Sequence, residues 1–131
     1  WLRVGVSPFG LPRRERRPPG IQGFDPYDKL YADAERWLAE GWLDYAAPQL
    51  YWPLDSPGQA FAALLEAWVR DNTRSRHLWP GLFTSSVALP PRNWAADEVM
   101  NQIELLRTRS EQVGGHIVVQ VAHDAFAFLL Q

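Results

Sequence analysis

The chain has 131 residues, 47% of them hydrophobic and 21% charged, which is enough for one domain with its own core and ordinary for a globular protein. A formal net charge of −2 gives no global attraction to phosphate, so nucleic acid is not an expected partner. The lack of cysteine excludes a disulfide framework, thiolate metal sites and a cysteine nucleophile, and no apolar run approaches the roughly 18 residues of a membrane span.

The sequence opens Trp1-Leu2-Arg3-Val4, with no methionine and straight into a strand-like run, as expected if an upstream part has been cut away or processed. Residues Leu2 to Val6 are mostly apolar and predict a strand, which Ser7-Pro8-Phe9-Gly10 ends. A long loop follows, because the prolines and like charges from Pro12 to Gly20 suit neither a helix nor a sheet interior. Asp25-Pro26-Tyr27-Asp28 then offers an N-cap acceptor, a proline at the first helical position and an acid near the positive helix end. One helix is expected from there to Gly41, with Leu30, Ala34, Trp37 and Leu38 on its buried face.

Tyr45 to Trp52 reads as a buried strand, with Pro48 marking a bulge or the strand's end. Ser56-Pro57-Gly58-Gln59 has the form of a capping box ahead of a helix whose stripe is Phe61, Leu64, Leu65 and Trp68. A third strand is expected over Leu78 to Phe83. After a loop with Pro90-Pro91 comes a helix carrying Val99, Ile103 and Leu106 on one face and ended by Gly114-Gly115. The last strand is Ile117 to Val121, followed by an apolar tail from Ala125 to Leu130.

The predicted class is therefore α/β: about four parallel strands joined by crossover helices, over residues 1–131 as a single domain. A complete (β/α)8 barrel takes about 250 residues, so the pattern fits either a partial TIM-type barrel or a small self-sufficient open sheet.

Ser7-Pro8-Phe9-Gly10, Tyr27-Asp28, Leu30-Tyr31-Ala32-Asp33, Trp37, and above all Glu40-Gly41-Trp42-Leu43-Asp44-Tyr45 running into Pro48-Gln49-Leu50-Tyr51-Trp52 form a distinctive set. Together they resemble the glycosyl-hydrolase-like family 10, barrels related to the α-amylase group. Weaker similarity continues at Trp94, Gln102-Ile103 and Arg107, while His116 to Phe126 departs from the family's closing strand. The resemblance implies that these are the later strands of a barrel, the C-terminal half of a glycoside hydrolase. It further implies a cell-envelope polysaccharide as substrate, such as peptidoglycan glycan strands, and a place outside the cytoplasm.

In such barrels the active site lies at the C-terminal ends of the strands. The candidate substrate-binding residues are accordingly Ser7, Phe9, Gln49, Tyr51, Trp52 and Phe83. Alternation puts Tyr45, Ala47, Gln49 and Tyr51 on one face, where an amide followed by aromatics suits sugar hydroxyls and ring faces. The plainer reading of Tyr51 and Trp52 is packing beneath the helices. Glycoside hydrolysis needs two carboxyl groups roughly 5 to 10 Å apart, and the sequence supplies them poorly. Asp55 and Asp124 follow strand ends and are the internal candidates, but both suit turns or caps, so the catalytic residues are expected upstream of this stretch and remain unassigned.

His77, His116 and His123 lack the spacing of a zinc site, and neither a phosphate-binding glycine loop nor a Gly-x-Ser-x-Gly elbow occurs. No metal or cofactor is expected. The arginines between Arg13 and Arg17 could hold a carboxylated glycan, but a solvated loop is the preferred reading. The rival function is a non-catalytic carbohydrate-binding or structural half-barrel, self-associating through its open edges.

Overall fold

The structure is a computed structural model and describes residues 2–88, 94–112 and 120–122. Strand β1 covers Gly5–Val6, β2 Tyr45–Ala46, β3 His77–Leu78, β4 Gly81–Phe83 and β5 Gln120–Ala122. All pairings are parallel, in the order β1-β2-β3 and, separately, β4-β5. Helices α1 (Pro26–Leu30) and α2 (Ala34–Ala39) connect β1 to β2, and α3 (Phe61–Asp71) connects β2 to β3. Helices α4 (Ser85–Ala88) and α5 (Glu98–Gln112) lead from β4 to β5. The α/β class and the parallel crossovers are as expected.

The regular strands are shorter than the apolar runs that contain them. Pairing nevertheless continues past their ends through single parallel bridges, Phe9 to Gln49 and Gln49 to Gly81. The amides of Asp44, Ala47 and Gln49 donate to the carbonyls of Val4, Val6 and Pro8 on one side. On the other, the carbonyls of Ala46 and Pro48 accept from Trp79 (2.8 Å) and Gly81 (2.9 Å). Pro48 has a carbonyl but no amide to return to that side, so the expected third strand is broken at Trp79-Pro80 into β3 and β4.

The single helix expected between Asp25 and Gly41 is two. Asp25 caps α1 as predicted, its carboxylate accepting the amides of Tyr27 and Asp28. Tyr31 then enters the left-handed region at φ 54°, and Asp33 starts α2 by accepting the Arg36 amide. The break turns Leu30 outward to 61% exposure while Ala34 and Leu38 stay buried, so Leu30 leaves the face assigned to it. Gly41, at φ 77°, ends α2: the Trp42 amide reaches the Trp37 carbonyl and the Gly41 amide that of Leu38, a turn that a side chain at Gly41 would strain.

Ser56 does not cap α3. The residue before that helix is Ala60, and the first two helical amides, Phe61 and Ala62, donate to the carbonyls of Pro53 and Leu54. Ser56 to Gln59 forms instead a turn that brings those carbonyls round. The stripe of α3 is as read: Phe61, Leu64, Leu65 and Trp68 are buried and meet Leu11, Leu38, Ala46, Leu50, Leu78, Leu82 and Leu106 in one core. On α5, Leu106 is buried with Val99 and Ile103 packed against that core, and Gln102 lies wholly buried on the same side. The short helix α4 was not expected. Pro90-Pro91, Gly114-Gly115, residues 117–119, Asp124, His116, His123 and the tail from Ala125 lie outside the described residues.

Candidate glycan-binding site

The bridges pair Gln49 with Phe9, in the segment leaving β1, and with Gly81, the first residue of β4, on the side to which β1 and β2 point their C-terminal ends. Its side chain is loosely held. Gln49 Nε2 donates to the Ser7 carbonyl at 3.3 Å and to Ser7 Oγ at 3.5 Å, both long for an amide donor. Ser7 Oγ in turn donates to the Ala47 carbonyl (2.9 Å). Beside them Tyr51 leans on Phe83, with ring centroids 5.6 Å apart, and Phe83 on Trp94 at 6.0 Å. Burial holds the Tyr51 hydroxyl above the usual phenol range, so it remains a neutral donor.

Phe9 and Trp52 behave differently. Their rings meet edge to face at 5.9 Å and pack against the hydrophobic core, which for Trp52 is the packing alternative raised above. Phe9 also borders a cavity of about 340 Å³, shared with Ser7, Gln49, Glu35, Trp37 and Trp68. The six candidates thus fall into a polar pair, Ser7 and Gln49, with an aromatic cluster on either side: Tyr51 with Phe83, and Phe9 with Trp52.

Sequence reasoning missed Glu35, 3% exposed on the cavity wall. It sits three residues before Leu38, hence on the apolar stripe, and a charge there was the available signal. Burial raises its carboxyl above the ordinary 4.5; bonds from its own amide and that of Arg13 (2.7 Å) offset this in part, and Asp33 and Asp71 add to it. Because the folded chain holds this proton more tightly than the unfolded one, stability is greatest below about pH 4.5 on this account. It falls as pH rises through the folded value. Glu35→Gln keeps an oxygen for the Arg13 amide and removes the titration. Thermal melts from about pH 4 to about pH 8 should therefore show a flatter decline for the variant, and parallel curves would refute the assignment.

Three further carboxylates accept main-chain amides. Asp25 accepts from Arg14 as well as from its own helix; burial pushes its carboxyl up, but the amides of Arg14, Asp28 and Tyr27 outweigh this and leave it below the usual range. Asp44 accepts the Val4 amide (2.8 Å), Asp33 caps α2, and Asp55 is exposed in a turn. Among the described residues no carboxyl pair converges beside Gln49, and no group of three or more ligand side chains could hold a metal. The arginine loop is largely tied inward. Arg17 donates to three carbonyls, Arg13 lies 3.9 Å over the Tyr27 ring and pairs with Glu15, and Arg16 is 4.0 Å from Asp71. The arrangement can therefore bind hydroxyls and ring faces, through Ser7, Gln49 and Tyr51 and the aromatic clusters beside them.

A family profile described as glycosyl hydrolase-like 10 matches residues 1–99. The chain belongs to the glycosyl hydrolase-like 10 family. It is 34% identical over 116 residues to the glycosyl hydrolase DigH of Escherichia coli strain K12, covering 79% of this chain and 26% of that protein. It is 36% identical over 86 residues to the glycosyl hydrolase YngK of Bacillus subtilis strain 168, covering 62% of this chain and 17% of the relative. The chain thus spans about a quarter or less of the length of these relatives. Within this glycosyl hydrolase-like 10 chain, all six candidate residues fall inside the matched stretch. No helix among the described residues is long and apolar enough to cross a membrane.

Proposed function

We propose that this chain forms one wall of the glycan cleft of a glycoside hydrolase acting on a cell-envelope polysaccharide, with peptidoglycan glycan strands as the substrate, outside the cytoplasm. The reading takes residues 1–131 as a single domain and its parallel strands as part of a (β/α)8 barrel, whose remaining units supply the acid and the nucleophile or base. The observation that carries it is the loosely bonded amide of Gln49, set between the segment leaving β1 and the start of β4 and flanked by aromatic rings. An amide that the protein itself satisfies poorly is free to donate to and accept from a sugar hydroxyl. Tyr51 would stack on the sugar ring and offer its hydroxyl.

A second reading is a non-catalytic glycan-binding element, favoured by the lack of a converging carboxyl pair among the described residues. In that case self-association would cover the side of β1 that has no partner strand among the described residues, next to exposed Val4. Both are tested by release of reducing ends from peptide-free peptidoglycan strands, chitin-type and starch-type oligosaccharides. Residues 1–131 would be compared with the complete gene product. Release from the peptidoglycan strands by the complete product alone is the expected result. Binding without release by either would favour the second reading, and neither binding nor release would sink both.

A further inference from the structure

The loop between Arg17 and Asp25 presents an aromatic ring that the core does not need. Phe24 is 40% exposed, yet its ring meets Phe9 edge to face with centroids 5.2 Å apart, and Phe9 in turn meets Trp52. The backbone beneath it is held by an unusual concentration of bonds. Arg17 donates through Nε to the Pro12 carbonyl (2.9 Å) and through its terminal nitrogens to those of Gly23 (3.0 Å) and Phe24 (2.6 Å). From the other side, the Gln22 amide donates to the Gly58 carbonyl and Gln59 Nε2 to that of Gln22. Gly23 turns the chain into Phe24 at φ 118°, a conformation open essentially to glycine, and a Cβ there would also crowd Leu11.

A loop that only linked the arginine turn to α1 could leave its tip polar and mobile. Here the tip is fixed and apolar. A half-exposed aromatic on a fixed backbone has few torsions left to freeze, which is how contact surfaces gain affinity at low entropic cost. Its position is also defined relative to Gln49. Phe9 is the bridge partner of Gln49 in the adjacent chain segment, about 4.8 Å away by parallel-strand spacing, and Phe24 lies a ring beyond Phe9. Tyr51 and Phe83 stand on the opposite flank, next to Gly81, the other bridge partner.

We propose that Phe24, held beside Phe9 and Trp52 by the Arg17 guanidinium, is the stacking wall of a second sugar subsite, so that the cleft takes an oligosaccharide rather than a single sugar. This rests on the glycan-cleft reading above and adds the length of chain the site engages. Arg17 is then a positioning residue, acting through three carbonyls, and its charge is directed inward, not at the ligand.

The test is calorimetric binding of peptide-free peptidoglycan strands, chitin-type and starch-type oligosaccharides, and their single sugars, to the complete gene product. Phe24→Ala should weaken the preferred oligosaccharide about tenfold, leave the single sugar and the melting temperature unchanged, and be rescued by Phe24→Trp. Arg17→Lys keeps the charge but not the fork, and should weaken the oligosaccharide in the same selective way. If Phe24→Ala binds the oligosaccharide like the parent, or loses both ligands equally, while Gln49→Leu weakens binding about tenfold or more, the second subsite is refuted and the cleft reading stands. If Gln49→Leu and Tyr51→Ala are also silent, the cleft reading fails and the subsite with it.

Discussion

Trp68→Ala is expected to cost the fold about 3 to 5 kcal/mol, the range for emptying a buried aromatic site. Trp68 is 2% exposed at the centre of the α3 stripe, and its indole Nε1 donates to the Gly10 carbonyl at 3.0 Å, across 58 residues of sequence. That bond pins the turn leaving β1, next to Phe9 and the Gln49 bridge. Trp68→Phe separates the two contributions: it keeps most of the ring volume but leaves a buried acceptor unpaired, at about 1 to 3 kcal/mol. Urea unfolding of the two variants should therefore place Trp68→Phe between the parent and Trp68→Ala. A phenylalanine variant as stable as the parent would mean that the Gly10 bond adds nothing.

The same helix shows what the sequence can and cannot convey. Its buried stripe was legible because four large apolar residues at helical spacing allow one solution. Its start was not, because the pattern Ser56 to Gln59 satisfies a local rule that the chain does not use. The free amides of α3 are met by carbonyls of Pro53 and Leu54, and only the folded turn brings those within reach. The break at Tyr31 was hidden for a related reason: no glycine or proline marks it, yet Asp33, a good N-cap, could have announced the second start.

At the candidate site, Ser7, Gln49, Tyr51 and Phe83 could be proposed because strand alternation and strand ends are local properties. Which aromatics would pack against the core was not legible, since Phe9 and Trp52 are sorted by contacts with distant segments. Glu35 and Gln102 were visible in principle, as polar residues on apolar stripes. Phe24 carried no pattern at all; its place depends on Arg17 and on Gly58 and Gln59, more than thirty residues away from Gln22.

Gln49→Leu is the substitution expected to hurt function most while touching stability least. The side chain's bonds to Ser7 are 3.3 and 3.5 Å, too long to hold much folding free energy, so the melting temperature should barely move. A leucine of similar size removes both donor and acceptor from between the two aromatic clusters. Sugar hydroxyls buried against it would lose their partners, and affinity for the preferred oligosaccharide should fall about 10- to 100-fold. Gln49→Glu keeps an acceptor, drops the donor and adds charge, so a smaller loss than with leucine would assign the acceptor the larger share. Undiminished glycan affinity in the leucine variant would move the site away from Gln49, and with it the basis for assigning this face of the sheet to the cleft.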